Sequence, residues 1–153
     1  MIRELMYHDA EQILALNIMT EMGCSDLETT TATLYRLLQK IEEHHILGYE
    51  MDGKLVGYIH AQVYEMLYSP NVLLNVIAVA IHEDYQGNGI GKKLIQAIED
   101  RAVELGFDGI RINSGNNREK AHGFYERLGY VSNRDQKRFI KIFNHVTEKV
   151  PVM

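Results

Sequence analysis

Apolar residues recur along this chain with two periods, and each period marks a different kind of element. Met1–Met6 alternates and predicts a first strand. Asp9 then stands where a helix cap belongs, ahead of a helix carrying Ile13, Leu14, Leu16 and Ile18 on one face. A loop at Gly23-Cys24-Ser25-Asp26 separates it from a second helix over Thr31–His44, with Leu34, Leu37, Leu38 and Ile41 on its buried side and His44-His45 helping to end it. The period then shortens. Ile46–Met51 and Lys54–Tyr64 flank Asp52-Gly53, a hairpin turn signal. After Pro70, Asn71–Ile81 is a nearly continuous run of branched apolar residues, as expected of a central strand covered on both faces.

A glycine-rich turn follows, then a helix from Ile90 to Leu105 that buries Leu94, Ile95, Ile98, Ala102 and Leu105 and stops at Gly106. Gly109–Asn113 is a short strand and Arg118–Leu128 a helix stopped by Gly129. Tyr130–Ser132 and Arg138–Phe143 make a last pair of strands. This order predicts a mixed α/β (α+β) domain with a partly antiparallel sheet.

Composition narrows the function more than the fold. A chain of 153 residues that is 46% hydrophobic suits one domain over 1–153. The balance of 21 acidic to 16 basic residues gives a net charge of −5, and no basic face is present to suit nucleic acid. No apolar run is long enough to span a bilayer and the first residues lack a cleavable signal, so the reading is cytoplasmic, with no membrane partner. Cys24 is the single cysteine and reads as a small apolar filler, and no His/Cys cluster has metal spacing.

The chemistry concentrates at Ile81-His82-Glu83-Asp84-Tyr85-Gln86-Gly87-Asn88-Gly89-Ile90-Gly91-Lys92-Lys93-Leu94, between a buried strand and a helix. Glycines at alternate positions let the backbone turn tightly and approach a ligand without Cβ obstruction. The amides opening the helix at Gly89–Lys92 have no intrahelical acceptor, and the helix dipole adds positive character. Together they make an anion nest suited to a diphosphate, with Lys92 and Lys93 at its rim. A P-loop is excluded, because Gln86 stands at its first glycine and Lys93 where it needs Ser or Thr. The dinucleotide fingerprint fails too, since Lys92 stands at its third glycine. A plain turn and helix start remains the alternative.

The segment resembles the coenzyme A loop of the GNAT N-acetyltransferase superfamily, Arg/Gln-x-x-Gly-x-Gly/Ala, with Gln86, Gly89 and Gly91 at the fixed positions and Tyr85 and Gly87 in the usual surroundings. The element order from Met1 to about Phe143 is similar as well. The resemblance implies a central, mostly antiparallel mixed sheet, split between strands 4 and 5, with helices on both faces. It implies acetyl-CoA as cosubstrate and no metal. Carried over by position, Val79 and Ile81 meet the pantetheine arm, and Gln86, Gly87, Asn88, Gly89, Ile90, Gly91 and Lys92 meet the phosphates. A second stretch, Asn113 to Tyr130, stands where the family's second motif is expected. Asn117 can cap its helix there, in competition with Ser114 and Asn116. Tyr125, in Phe-Tyr-x-x-x-Gly-Tyr, takes the place of the family's proton donor to the departing CoA thiolate, a role that suits a phenol opposite a thiol. Many members carry Asn where this chain has Arg118, which either reaches a CoA phosphate or is solvated. The variant Arg-x-x-Ala-His-x-Phe-Tyr resembles a branch that acetylates small amines, aminoalkylphosphonates included. His122 lies one turn before Tyr125, either near the site or as a packing histidine.

Transfer to nitrogen needs a neutral amine, so a proton must leave. The central strand, Asn71 to Val79, has no carboxylate in the place of the family's glutamate. Glu65, or waters held by Asn75 and Tyr64, are the alternatives for this base. Glu21, Asp26 and Glu28 could attract an amine to the wall formed by the first two helices. Tyr64–Tyr68 suits a pocket wall or a contact between two copies, a homodimer. The expected acceptor is a small-molecule amine. A protein or peptide amine, a non-catalytic acyl-CoA-binding module and a purely structural glycine turn are the rivals.

Overall fold

A computed structural model of the chain describes residues 1–23, 25–114, 118–133 and 135–143. Its described residues form one five-stranded sheet in the order β1 (Ile2–Glu4), β2 (His44–Met51), β3 (Lys54–Glu65), β4 (Val72–Ile81), β5 (Gly109–Ile112). The first four strands are antiparallel, and β5 lies parallel to β4. Asp52 (φ 51°) and Gly53 (φ 76°) make the two-residue turn between β2 and β3, both left-handed as a type I′ hairpin requires.

Helices cover both faces. α1 (Ala10–Met19) and α2 (Leu27–Leu38) pack on one side through Ile13, Leu16 and Leu34 against Ile46, Leu55, Tyr58 and Ala80. On the other, α3 (Ile90–Leu105) sets Leu94, Ile95 and Ile98 against Leu47, Val56, Ile59, Leu74 and Val76. All three of those α3 residues are almost wholly buried. Each contributes about 1.5–3 kcal/mol of transfer free energy. α4 (Glu119–Arg127) sits on this same side through Phe124 and Tyr125.

Several boundaries differ from the sequence expectation, each for a physical reason. Asp9 does not cap α1 with its side chain. Its fully buried carboxylate turns back to accept the Met6 N–H at 2.7 Å and two bonds from Arg3, at 2.8 and 2.9 Å. α2 begins four residues earlier than Thr31, because Asp26 accepts the Thr29 N–H at 2.7 Å. It ends at Leu38, so Ile41 is exposed, and His44-His45 opens β2 instead of closing a helix. His45 faces Ala61 in the ladder and is buried, and the Val63 N–H reaches Glu43 O at 2.9 Å, which commits this stretch to the sheet.

Leu105 is exposed as well. At the end of α3, Gly106 (φ 83°) turns left-handed, Gly106 N–H bonds Val103 O at 3.2 Å and Phe107 N–H bonds Ala102 O at 2.8 Å. This Schellman closure puts Phe107, not Leu105, against the core. The strands expected at Tyr130–Ser132 and Arg138–Phe143 are absent among the described residues. Val131, Phe139 and Phe143 each expose more than four fifths of their surface, so their alternation buries nothing that would repay pairing. Cys24 and Asn117 lie outside the described residues.

Candidate active site

β4 runs out at Ile81 into a single 3₁₀ turn, Glu83–Tyr85, and then into the glycine loop. Side chains brace this loop from within. His82 Nδ1 accepts the Asp84 N–H at 3.1 Å, Gln86 Nε2 donates to Ile81 O at 3.2 Å and Asn88 Nδ2 donates to Tyr85 O at 3.2 Å. Gln86 and Asn88 thus spend their amides on loop carbonyls. Gly87 (φ 82°) and Gly89 (φ 78°) take left-handed conformations, and Gly89 leads directly into α3. The first closure of that helix is Lys93 N–H to Gly89 O at 3.1 Å, so the N–H groups of Ile90, Gly91 and Lys92 have no intrahelical acceptor. Ile90 is buried and pins the helix start, while Gln86–Gly89 stays exposed. Lys92 is exposed on the helix's first turn. Lys93 leans away, its Nζ 3.4 Å from Tyr49 Oη, so one lysine rather than two borders the nest.

The strand before the loop is open along one edge. The β4–β5 ladder ends at Val76↔Ile112, and the next residue, Ile77, is the extra residue of a bulge opposite His60/Ala61. From there to Ile81, β4 pairs with β3 alone among the described residues. His82 N–H bonds Val56 O at 2.8 Å, which fixes the phase: Ala78 and Ala80 turn their peptide groups toward β3, and Val79 and Ile81 turn theirs toward the unpaired edge. Unpaired strand edge and free helix amides therefore meet at one corner of the molecule.

α4 borders that corner. A Cβ on Gly91 would lie 3.5 Å from Phe124 Cζ. The Tyr125 ring is held between Phe124 (centroids 5.4 Å) and Tyr130 (6.2 Å), and Tyr130 Oη donates to Glu99 Oε2 at 3.1 Å. Among the described residues Tyr125 Oη has no hydrogen-bond partner. Burial pushes its pKa up, partly opposed by the charge of Arg118, so the phenol holds its proton at neutral pH. Arg118 itself is exposed at the start of α4. His122 is half-buried on the same helix. Ser114 Oγ, just beyond β5, is buried with no partner among the described residues.

The opposite face of the sheet carries a polar set that sequence spacing did not bring together. Arg111 Nη1 donates to Asn75 Oδ1 at 2.9 Å, and the guanidinium lies 4.5 Å from the centre of the Tyr64 ring. Asn75 and Tyr64 are thus engaged with Arg111. Glu65 is exposed at the far end of β3. Higher on the same face His60 Nε2 lies 2.8 Å from His44 Nδ1, and burial, with His44 beside it, lowers the His60 pKa to about 4. Register creates these neighbours: Asn75 pairs with Arg111, and His44 pairs with Gln62, two residues from His60 on the same face. Of the acids near the first two helices, Asp26 is the α2 cap, while Glu21 and Glu28 are exposed. A cavity of about 650 Å³ opens elsewhere, at the sheet end where α2 and α3 finish, with His45 and Arg101 in its wall. It contains none of the loop, strand-edge or α4 residues. No helix among the described residues is long and apolar enough to cross a membrane, and no group of three metal-binding side chains occurs among them.

Comparison with known proteins bears on this corner. A family model described as the acetyltransferase (GNAT) family matches residues 14–130. Among curated proteins, the chain is 36% identical over 85 residues to a protein named Probable N-acetyltransferase camello from Xenopus tropicalis, covering 56% of this chain and 37% of that one. It is 30% identical over 109 residues to the uncharacterized N-acetyltransferase YvbK of Bacillus subtilis, covering 67% and 70%. The chain thus spans little more than a third of the first relative and most of the second. Among solved structures, a transcriptional regulator from Bacillus halodurans superposes with a TM-score of 0.82 at 20% identity, covering 92% of this chain and 99% of that one. An aminoglycoside acetyltransferase from a soil metagenomic sample, in complex with sisomicin, superposes with a TM-score of 0.75 at 22% identity, covering 94% and 96%. At these identities the structural likeness speaks for the fold.

Proposed function

The chain belongs to the GNAT acetyltransferase family, whose members use acetyl-CoA, and from that premise we propose that it transfers an acetyl group from acetyl-CoA to the primary amine of a small molecule. The observation that carries this reading is the corner where the free amides of Ile90–Lys92 adjoin the unpaired β4 edge at Val79 and Ile81. The loop from Gln86 to Lys92 holds the pyrophosphate, with Gln86 and Asn88 bracing its shape and the helix amides giving the hydrogen bonds. The edge peptide groups of Val79 and Ile81 pair with the amide-bearing pantetheine arm as a neighbouring strand would. Arg118, exposed at the start of α4, is a further candidate to meet a phosphate.

The amine nitrogen attacks the thioester carbonyl, a backbone amide of the split strand meets the oxyanion, and the carbon–sulfur bond breaks. Tyr125 Oη gives its proton to the departing thiolate, the amine's proton passes to water on the sheet's α1/α2 face, and solvent returns one proton to Tyr125 before the next turnover. The small-molecule acceptor is supported by the Arg118–Tyr125 pattern. None of these steps uses a metal, so a chelator should leave turnover unchanged.

Thiol release from acetyl-CoA across a panel of amines tests the reading. The wild type should turn over at least one acceptor class. Tyr125→Phe should lower kcat roughly 100-fold or more while leaving acetyl-CoA affinity near wild type. Equal activity in Tyr125→Phe would remove the acid assignment, and the absence of acetyl-CoA binding in the wild type would remove the whole reading.

A further inference from the structure

Arg111 is a charged group that the reaction as written does not use. β5 alternates: Ile110 and Ile112 pack into the core beneath α3, so Arg111 between them points to the α1/α2 face, the side from which an acceptor reaches the split. Its register partner is Asn75, one step below the last β4–β5 pair, so the guanidinium borders the gap itself.

The guanidinium carbon lies over the Tyr64 ring, 4.5 Å from its centre, and among the described residues the group gives one hydrogen bond, Nη1 to Asn75 Oδ1 at 2.9 Å. A guanidinium has five N–H donors. Among the described residues no carboxylate lies within ion-pair distance of Arg111. Glu65, next to Tyr64 in sequence, points to the other face by strand alternation and is exposed. The remaining N–H donors are available to a ligand at the gap. Contacts with Tyr64 and Asn75 fix the head group's place, and a guanidinium suits planar, two-pronged recognition of an oxyanion.

We propose that Arg111 binds an anionic oxygen group on the acceptor, so that the substrate is an amine that also carries a carboxylate or a similar oxyanion. This rests on the reading of the split as the acetyl-transfer site. The same charge selects against polyamines, whose second ammonium would face the guanidinium.

The test uses the full chain with acetyl-CoA and amines matched in length, ending in a carboxylate, a phosphate, an uncharged amide or a second ammonium. Acetyl-CoA affinity is measured first by calorimetry. We expect an anionic member to exceed its amide partner in kcat/KM by roughly 10-fold or more, mainly through KM. The carboxylate and phosphate arms identify which anion is favoured. Arg111→Gln should bring the anionic-to-amide ratio close to one with acetyl-CoA affinity retained, and Arg111→Lys should keep part of the preference. Preference of the wild type for the amide or diamine overturns the proposal, whatever the stability of the variants. So does an unchanged ratio in Arg111→Gln, or turnover of none of the four series by a chain that binds acetyl-CoA. Failure to bind acetyl-CoA at all sinks the acetyl-transfer reading first, and this proposal with it.

Discussion

Gly89→Ala places a Cβ on a residue with φ 78° and ψ 10°. No heavy atom lies within 4 Å of that Cβ, so the substitution meets no neighbour and its cost is the left-handed backbone alone. That cost is about 1–2 kcal/mol. For a chain of this size it corresponds to a fall in Tm of roughly 2–8 °C. If the chain instead relaxes Gly89 to an ordinary conformation, the Ile90–Lys92 amides no longer converge. Losing one charge-assisted hydrogen bond of about 1.5–3 kcal/mol then weakens acetyl-CoA binding roughly 10- to 150-fold. Gly91→Ala is the matched control. Gly91 is not left-handed, and its Cβ would make only an ordinary 3.5 Å contact with Phe124 Cζ. A helical Gly→Ala change there gains up to about 1 kcal/mol. Thermal denaturation and acetyl-CoA calorimetry on both variants should show Gly89→Ala losing stability if the turn is kept, or affinity if it relaxes, while Gly91→Ala keeps both. A Gly89→Ala protein that melts and binds acetyl-CoA as the wild type does would refute the left-handed turn and the amide nest together.

Two further predictions concern stability. Asp9→Asn removes the charge from a pair in which Asp9 is fully buried and Arg3 is 14% exposed, while Arg3 keeps Glu50 at 3.1 Å. The cost should be roughly 1–3 kcal/mol, that of weakened charge-assisted hydrogen bonds and not of an uncompensated charge. Burial raises the Asp9 pKa, but the Arg3 and Met6 hydrogen bonds and the Arg3 charge outweigh it, so the carboxyl sits below its usual value. The Asp9 contribution is therefore present above the unfolded value of about 3.9 and lost as pH falls through the folded one, and urea melts of Asp9→Asn should show a flatter acid limb than wild type. His60 acts in the same direction, but nearer neutrality. With its folded pKa down at about 4, the unfolded chain binds a proton that the folded chain refuses. Stability should fall between pH 6.5 and 4 by up to about 3 kcal/mol, and His60→Gln should remove that slope in urea titrations.

Elements whose ends are set by local backbone chemistry were legible in the sequence. Asp52-Gly53 marks its hairpin, and Gly89 and Gly106 bracket α3 because each takes a left-handed φ that few other residues tolerate. The loop, the strand before it and the helix bearing Tyr125 are placed by such signals. Elements set by tertiary contact were not. The apolar spacing through Ile41 continued a helix on paper, whereas the pairing of His45 with Ala61 claims that stretch for the sheet. Phe139, Ile140, Ile142 and Phe143 have strand-like character, yet a strand forms only where an edge accepts it. The polar floor was hidden for the same reason: Asn75 and Arg111 lie 36 residues apart and meet only through the parallel register of β4 and β5. The bulge at Ile77, which opens the strand edge, left no mark in an unbroken apolar run.

Titration of acetyl-CoA into wild-type and Gly89→Glu protein tests most directly whether the Gln86–Gly91 loop holds the acetyl donor. A carboxylate at Gly89 would face the same free amides that the pyrophosphate needs, and its charge would oppose the phosphates. The account predicts saturable micromolar binding to the wild type and loss of that binding in a variant whose circular dichroism remains that of a folded chain. Equal affinity in the two folded proteins would contradict it.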